Sequence, residues 1–263
     1  MYYTIDFNNT TIRFKDEGKG TVIVLLHGYL ESLEIWSEFS ADLAEYCRVV
    51  SIDLPGHGKS GVFGKVHTME LLAQTVKSVM DFLNIDKYFM VGHSLGGYVT
   101  LAFLELFPEC LSGLSLFHSH SLADSDEAIK NRNREKKLVE NGKKDLIYTV
   151  NIPKSFATDN LERFSEQVDN AKEIAMDISG EGIIAVLNGM INRPDRSNIL
   201  ARTTLPFIWI LGKKDKYIPY ETIVKKIELP KQGKLITLEN SGHMGFMEEK
   251  KKSLEAILKL FIH

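Results

Sequence analysis

Three residue types, in one order along the chain, could do chemistry together. Ser94 stands in Gly92-His93-Ser94-Leu95-Gly96-Gly97, Asp215 closes Gly212-Lys213-Lys214-Asp215, and His243 closes Ser241-Gly242-His243. A serine hydroxyl is a weak nucleophile near neutral pH. An imidazole, with an unperturbed pKa of about 6.5, can take its proton. A carboxylate then holds the imidazole tautomer and stabilises its cation. Such a set attacks a carbonyl carbon and passes through a covalent acyl intermediate.

The elements around Ser94 must place it. Tyr88-Phe89-Met90-Val91 is an apolar run of the kind a strand covered on both faces shows. Val99, Leu101, Ala102, Phe103, Leu104 and Leu106 follow as a helical run, closed by Pro108. Strand, sharp turn and helix put the serine at the tip of a nucleophile elbow. Glycines at 92 and 96 leave room where two backbones nearly touch. A helix N-terminus beneath the serine favours developing negative charge. Such charge needs two N–H donors. Leu95, just after the nucleophile, supplies one. Tyr29, just past the exit His27-Gly28, is expected to supply the other.

Other groups compete for roles. Asp124 and Asp126 follow the strand ending at Phe117 and rank below Asp215 as the acid, because they begin a helix. Asp53 is expected to fix the loop Pro55-Gly56-His57-Gly58 by hydrogen bonding. His57 and His93 are explained by tight glycine loops. His118 and His120 leave a strand end and are expected to line the substrate pocket. No third ligand stands at a spacing that would make them a metal site, so neither metal nor cofactor is expected.

Composition narrows the class. The net charge is −3 over 263 residues, which offers nothing to nucleic acid. No apolar run reaches the roughly 18 residues of a membrane span. Met1-Tyr2-Tyr3-Thr4-Ile5-Asp6 lacks the pattern of a signal peptide. Cys47 and Cys110 sit beside apolar strands and read as buried free thiols, so a cytoplasmic location is expected.

Alternating strand and helix patterns cover most of the chain. A hairpin is expected over residues 2–14, and apolar strands at 21–26, 48–54, 88–93, 111–117, 205–211 and 234–238. Helices are expected at about 32–46, 68–83 and 95–107, and a final helix carries Phe246, Leu254, Ile257, Leu258 and Phe261. Between Ser119 and Arg202 the strands stop, and 27 of 84 residues are charged, against 40 of the other 179. This stretch reads as amphipathic helices over 123–140, 160–178 and 181–191. Its apolar face, with Leu187 and Met190, is expected to roof the pocket. The expected division is a core of 1–118 and 203–263 with a helical cap insertion of 119–202. The core sheet should be mostly parallel, with the site at the carboxyl ends of its strands.

Together with Asp53-Leu54-Pro55-Gly56-His57-Gly58-Lys59-Ser60, these motifs resemble the α/β-hydrolase superfamily over nearly the whole chain. The resemblance implies an eight-stranded, mostly parallel sheet under a helical cap. It also implies Ser94 as nucleophile, Asp215 as acid, His243 as base, and Tyr29 and Leu95 as the oxyanion hole. A serine argues against the dehalogenases and epoxide hydrolases of the superfamily, which use an aspartate nucleophile. The expected activity is cleavage of a small carboxylic ester. Thioesterase, menaquinone-pathway lyase and slow ligand-receptor functions stand as alternatives. Tyr98-Val99-Thr100 occupies the place of the lyases' usual arginine. Leu211-Gly212 stands where the carbon–carbon hydrolases often carry a tryptophan.

Overall fold

The computed structural model describes residues 1–260. Eight strands form one sheet: β1 (Tyr2–Phe7), β2 (Thr10–Glu17), β3 (Val22–Leu26), β4 (Arg48–Ile52), β5 (Tyr88–His93), β6 (Leu111–Phe117), β7 (Phe207–Gly212) and β8 (Gly233–Leu238). Their spatial order is β1-β2-β4-β3-β5-β6-β7-β8. The first two pair antiparallel, through a turn at Asn8 and Asn9, and β2 pairs antiparallel with β4. The other pairs are parallel. Burial separates the two ends. β1 is half exposed, whereas β3, β5, β6 and β7 are covered on both faces, as their unbroken apolar runs require.

Helices α1 (Ser37–Ala44), α2 (Met69–Phe82) and α3 (Leu95–Leu106) connect the early strands. The expected helix from Ser32 begins instead as a 3₁₀ turn, Leu33–Trp36, capped by Ser32. Between β6 and β7 lie α4 (Asp126–Glu140), α5 (Asp145–Ser155), α6 (Ser165–Met176), α7 (Gly180–Ile191) and α8 (Ser197–Arg202). The sequence reading missed α5 and α8. In α5 the β-branched Ile147, Thr149, Val150 and Ile152 and the internal Pro153 mask the helical pattern. After β7 come α9 (Tyr220–Val224), α10 (Gly245–Glu248) and α11 (Lys250–Leu258), so the expected last helix is two pieces. Phe261, assigned to it, lies outside the described residues. Among the described residues no single helix is long and apolar enough to cross a membrane.

Helix α7 corrects one expectation. Its small residues Gly182, Ala185 and Gly189 share a face against the loop before α2. There His67 N–H donates to Ala185 O at 2.9 Å, and a Cβ on Gly189 would lie 1.6 Å from His67 O. Leu187 and Met190 lie on another face and are 0% and 1% exposed. A side chain that lines a pocket keeps surface that a water-sized probe can reach. Leu187 keeps none and Met190 almost none, so they are core residues of the segment between β6 and β7. Leu187→Ala is therefore expected to destabilise the protein by about 2–5 kcal/mol, measured by denaturant unfolding, without changing acyl-chain preference.

Candidate active site

Ser94 links β5 to α3 with φ 48° and ψ −112°. A non-glycine residue there is strained by roughly 1–3 kcal/mol and persists only where its surroundings over-determine it. They do so here. Ser94 N–H donates to Phe117 O at 3.0 Å, and Ser119 Oγ–H donates to Ser94 O at 2.7 Å. A Cβ on Gly96 would lie 2.3 Å from Leu26 O, so only glycine lets α3 approach β3 this closely. Ser94 stays partly exposed while its neighbours are buried. Its Oγ has no hydrogen-bond partner among the described residues.

Asp215 follows β7, and His243 precedes α10. His243 Nδ1–H donates to Asp215 Oδ2 at 2.7 Å, which leaves Nε2 as the basic nitrogen. Asp215 Oδ1 accepts from the Tyr217 and Ile218 N–H groups at 2.8 and 3.0 Å. Burial opposes the aspartate's charge. His243 and the hydrogen bonds from both histidines outweigh it and hold the carboxyl well below the usual range. Burial likewise opposes the His243 cation, and Asp215 outweighs it, so that imidazole is raised above its ordinary value.

His118 is 0% exposed and does not line a pocket, contrary to the sequence expectation. It stands behind Asp215. Its Nε2 faces the Gly245 N–H at 3.1 Å, and its Nδ1 lies 3.2 Å from the Gly212 N–H nitrogen and 3.3 Å from Asp215 Oδ2. Burial pushes it down to about 4 and keeps it neutral. His118, Asp215 and His243 could offer metal-ligand atoms within 4.8 Å of one another. Those of His118 and Asp215 are already engaged in these hydrogen bonds.

The exit of β3 is pinned on both sides of Gly28. His27 Nε2 accepts from Leu54 N–H at 3.0 Å, so its Nδ1 carries the proton and donates to Gly28 O at 2.8 Å. The Gly28–Tyr29 peptide is trans and planar, so holding that carbonyl aims the Tyr29 N–H the opposite way. Among the described residues neither the Tyr29 nor the Leu95 N–H has an acceptor. Asp53 fixes the neighbouring loop by accepting from Leu33 and Lys59 N–H at 2.8 and 2.9 Å.

The insertion meets these loops directly. Tyr29 Oη–H donates to Glu135 Oε2 of α4 at 3.0 Å, and Asn151 of α5 donates to Glu135 Oε1 at 2.8 Å. Tyr217 Oη–H donates to Asn151 O at 3.0 Å, with its ring 5.3 Å from that of His243. The His243 N–H donates to Ser155 O at 2.6 Å. His120 remains partly exposed, its ring 5.4 Å from Tyr98. Asp124 is buried between Arg132, at 2.6 Å, and Arg193, far from the role of an acid for His243. Asp126 is exposed at the start of α4.

The sequence reading missed Glu31. Its carboxylate accepts from Gly28 N–H at 2.5 Å and meets His93 Nδ1 at 2.9 Å. The available signal was a charged residue close to a strand exit, between Leu30 and the helix-capping Ser32.

Comparisons with known proteins agree with this architecture. A family model described as the alpha/beta hydrolase fold matches residues 21–133. The chain is 30% identical over 241 residues to the dihydrolipoyllysine-residue acetyltransferase component of an acetoin cleaving system from Pseudomonas putida, covering 87% of this chain but only 60% of that protein. It is 24% identical over 264 residues to a 2-hydroxy-6-oxononadienedioate/2-hydroxy-6-oxononatrienedioate hydrolase from Pseudomonas sp, covering 95% and 91% of the two chains. The solved structure of a thermophilic esterase from Thermogutta terrifontis superposes with a TM-score of 0.90 at 26% identity, covering 98% of this chain and 97% of that one. Sheet order, nucleophile elbow and matched segment lead to one conclusion: the chain belongs to the α/β-hydrolase superfamily.

Proposed function

We propose that the protein is a serine hydrolase that cleaves a small carboxylic ester through an acyl-enzyme. The observation that carries this reading is the 2.7 Å His243–Asp215 hydrogen bond at strand ends beside a strained, partly exposed Ser94. His243 Nε2 takes the Ser94 proton as Oγ attacks the carbonyl carbon. The Ser94–His243 hydrogen bond forms as substrate enters, since such bonds are often long before substrate binds. The oxyanion accepts from the Tyr29 and Leu95 N–H groups. His243 returns the proton to the leaving alcohol, and water repeats the attack. No metal or cofactor takes part in these steps.

Residues 119–202 act as a cap that selects the acyl group, and the core of 1–118 and 203–263 does the chemistry. The Tyr29–Glu135–Asn151–Tyr217 hydrogen bonds support this division, because they join α4 and α5 to the loops that carry the oxyanion donor and the acid. His120 keeps surface with which to touch substrate. Likeness to an esterase at both full length and full fold supports ester cleavage.

The test sets p-nitrophenyl esters of increasing acyl length beside the matching acyl thioesters, together with fluorophosphonate labelling. Ester turnover with labelling at Ser94 is expected. Labelling with a strong preference for thioesters would make the protein a thioesterase. No labelling at Ser94 would sink the serine-hydrolase reading.

A further inference from the structure

His93 ends β5, one residue before Ser94, and its ring is fully buried. Its Nδ1 lies 2.9 Å from Glu31 Oε2, and its Nε2 lies 2.9 Å from the main-chain oxygen of His243. A neutral imidazole carries one hydrogen and one lone pair. Facing two acceptors, it would bond to one and set its lone pair against the other. With Glu31 ionised, only the doubly protonated ring gives a hydrogen to both acceptors.

The surroundings fit a cation here. Trp36, Phe117 and Phe246 pack their rings 6.1, 6.4 and 5.1 Å from that of His93 and keep water out. The titratable groups that face it are Glu31 from the loop after β3, His243, with its ring at 4.8 Å, His118, with its ring at 6.1 Å, and His27. Burial holds His27 and His118 toward the neutral form. Glu31 is thus the anion that answers the cation. Burial raises the Glu31 carboxyl, while His93 and the Gly28 N–H outweigh burial and leave it lowered.

We propose that His93 is a buried imidazolium, ion-paired with Glu31, that serves as a positioning residue tying the oxyanion loop to the main chain of the base. The connection runs from Gly28 N–H to Glu31, from Glu31 to His93, and from His93 to the carbonyl of His243. It passes beside the nucleophile, so the Tyr29 N–H and His243 are held to one common frame. Both ring nitrogens are used, so rotation of His93 would break the pair. The effect on rate rests on the triad reading proposed above. The charge state of His93 does not.

The first measurement is the nitrogen NMR spectrum of the full chain carrying ¹⁵N-histidine, at pH 8, with His93 assigned through couplings to its own ring carbons. Hydrogen on both His93 nitrogens is expected. A single protonated nitrogen would mean a neutral hydrogen-bonded pair and overturn the proposal. The second measurement is Glu31→Gln. The rate of fluorophosphonate attachment to Ser94 and the kcat for esters are expected to fall about ten- to a hundredfold, as for a small misplacement of reacting groups. KM should stay within about twofold, since no substrate contact is lost. An unchanged labelling rate would overturn the positioning role. If Glu31→Gln does not fold, His93→Gln carries the same rate test, because its amide can donate to only one of the two partners at a time. A wild-type protein that neither labels nor cleaves esters would overturn the triad reading, and the spectrum would still decide the ion pair.

Discussion

Ser94→Ala is expected to abolish ester turnover and fluorophosphonate labelling while the protein stays folded. Loss of the nucleophile in a triad that works as a unit costs on the order of a million-fold in kcat. The fold should survive because Ser94 Oγ has no hydrogen-bond partner among the described residues. What holds the elbow is main chain: Ser94 N–H on Phe117 O, and Ser94 O beneath Ser119 Oγ. Neither bond is lost in the alanine variant. Backbone strain gives a companion outcome. Alanine keeps the Cβ that disfavours φ 48°, whereas glycine does not. Ser94→Gly should therefore be equally inactive yet more stable than Ser94→Ala, by about 1 kcal/mol or more. Turnover of purified Ser94→Ala near the wild-type level would remove Ser94 from its role. A Ser94→Gly variant less stable than Ser94→Ala would contradict the account of strain.

Asp215→Asn is expected to cut kcat by about 10⁴-fold, as for other triads given the wrong imidazole tautomer. The local hydrogen bonds leave the amide no good orientation. Oδ1 accepts from two main-chain N–H groups, and Oδ2 accepts from the protonated Nδ1 of His243. Either way round, the new NH₂ group points at hydrogens. The pH profile should move too. His243 must be neutral to act as base, so kcat/KM rises with pH. Asp215 raises the imidazole, so the wild-type midpoint lies above the ordinary value of about 6.5. Without the carboxylate, burial acts on the ring against only the weaker pull of Glu31 and Glu248, and the midpoint falls. Asp124→Asn is the contrast. It breaks the buried contacts to Arg132 and Arg193 and should lower stability, yet leave the midpoint where it was. A shift with Asp124→Asn, and none with Asp215→Asn, would move the acid to the exit of β6.

Much of the core was legible in the linear chain because local physics dictates it. A strand covered on both faces must be apolar throughout, and β3, β5, β6 and β7 are read from that alone. The turn at Ser94 is dictated by glycines that cannot be anything larger. Once the sheet is parallel, its carboxyl ends gather Ser94, Asp215 and His243 without further information.

The rest depended on contacts between distant segments. Periodicity marks Leu187 and Met190 as an apolar face, but it cannot say whether that face meets a pocket or a core, and it is core. His118 leaves a strand end as a pocket residue would. Its positive φ and the arrival of Asp215 and Gly245 turn it inward behind that aspartate. Glu31 and His93 lie 62 residues apart, and neither has a motif that calls for the other. Only the closing of β3 against β5 brings a carboxylate to an imidazole whose second nitrogen already faces a carbonyl. The link through that ring is made by three segments together, and so it belongs to the tertiary structure alone.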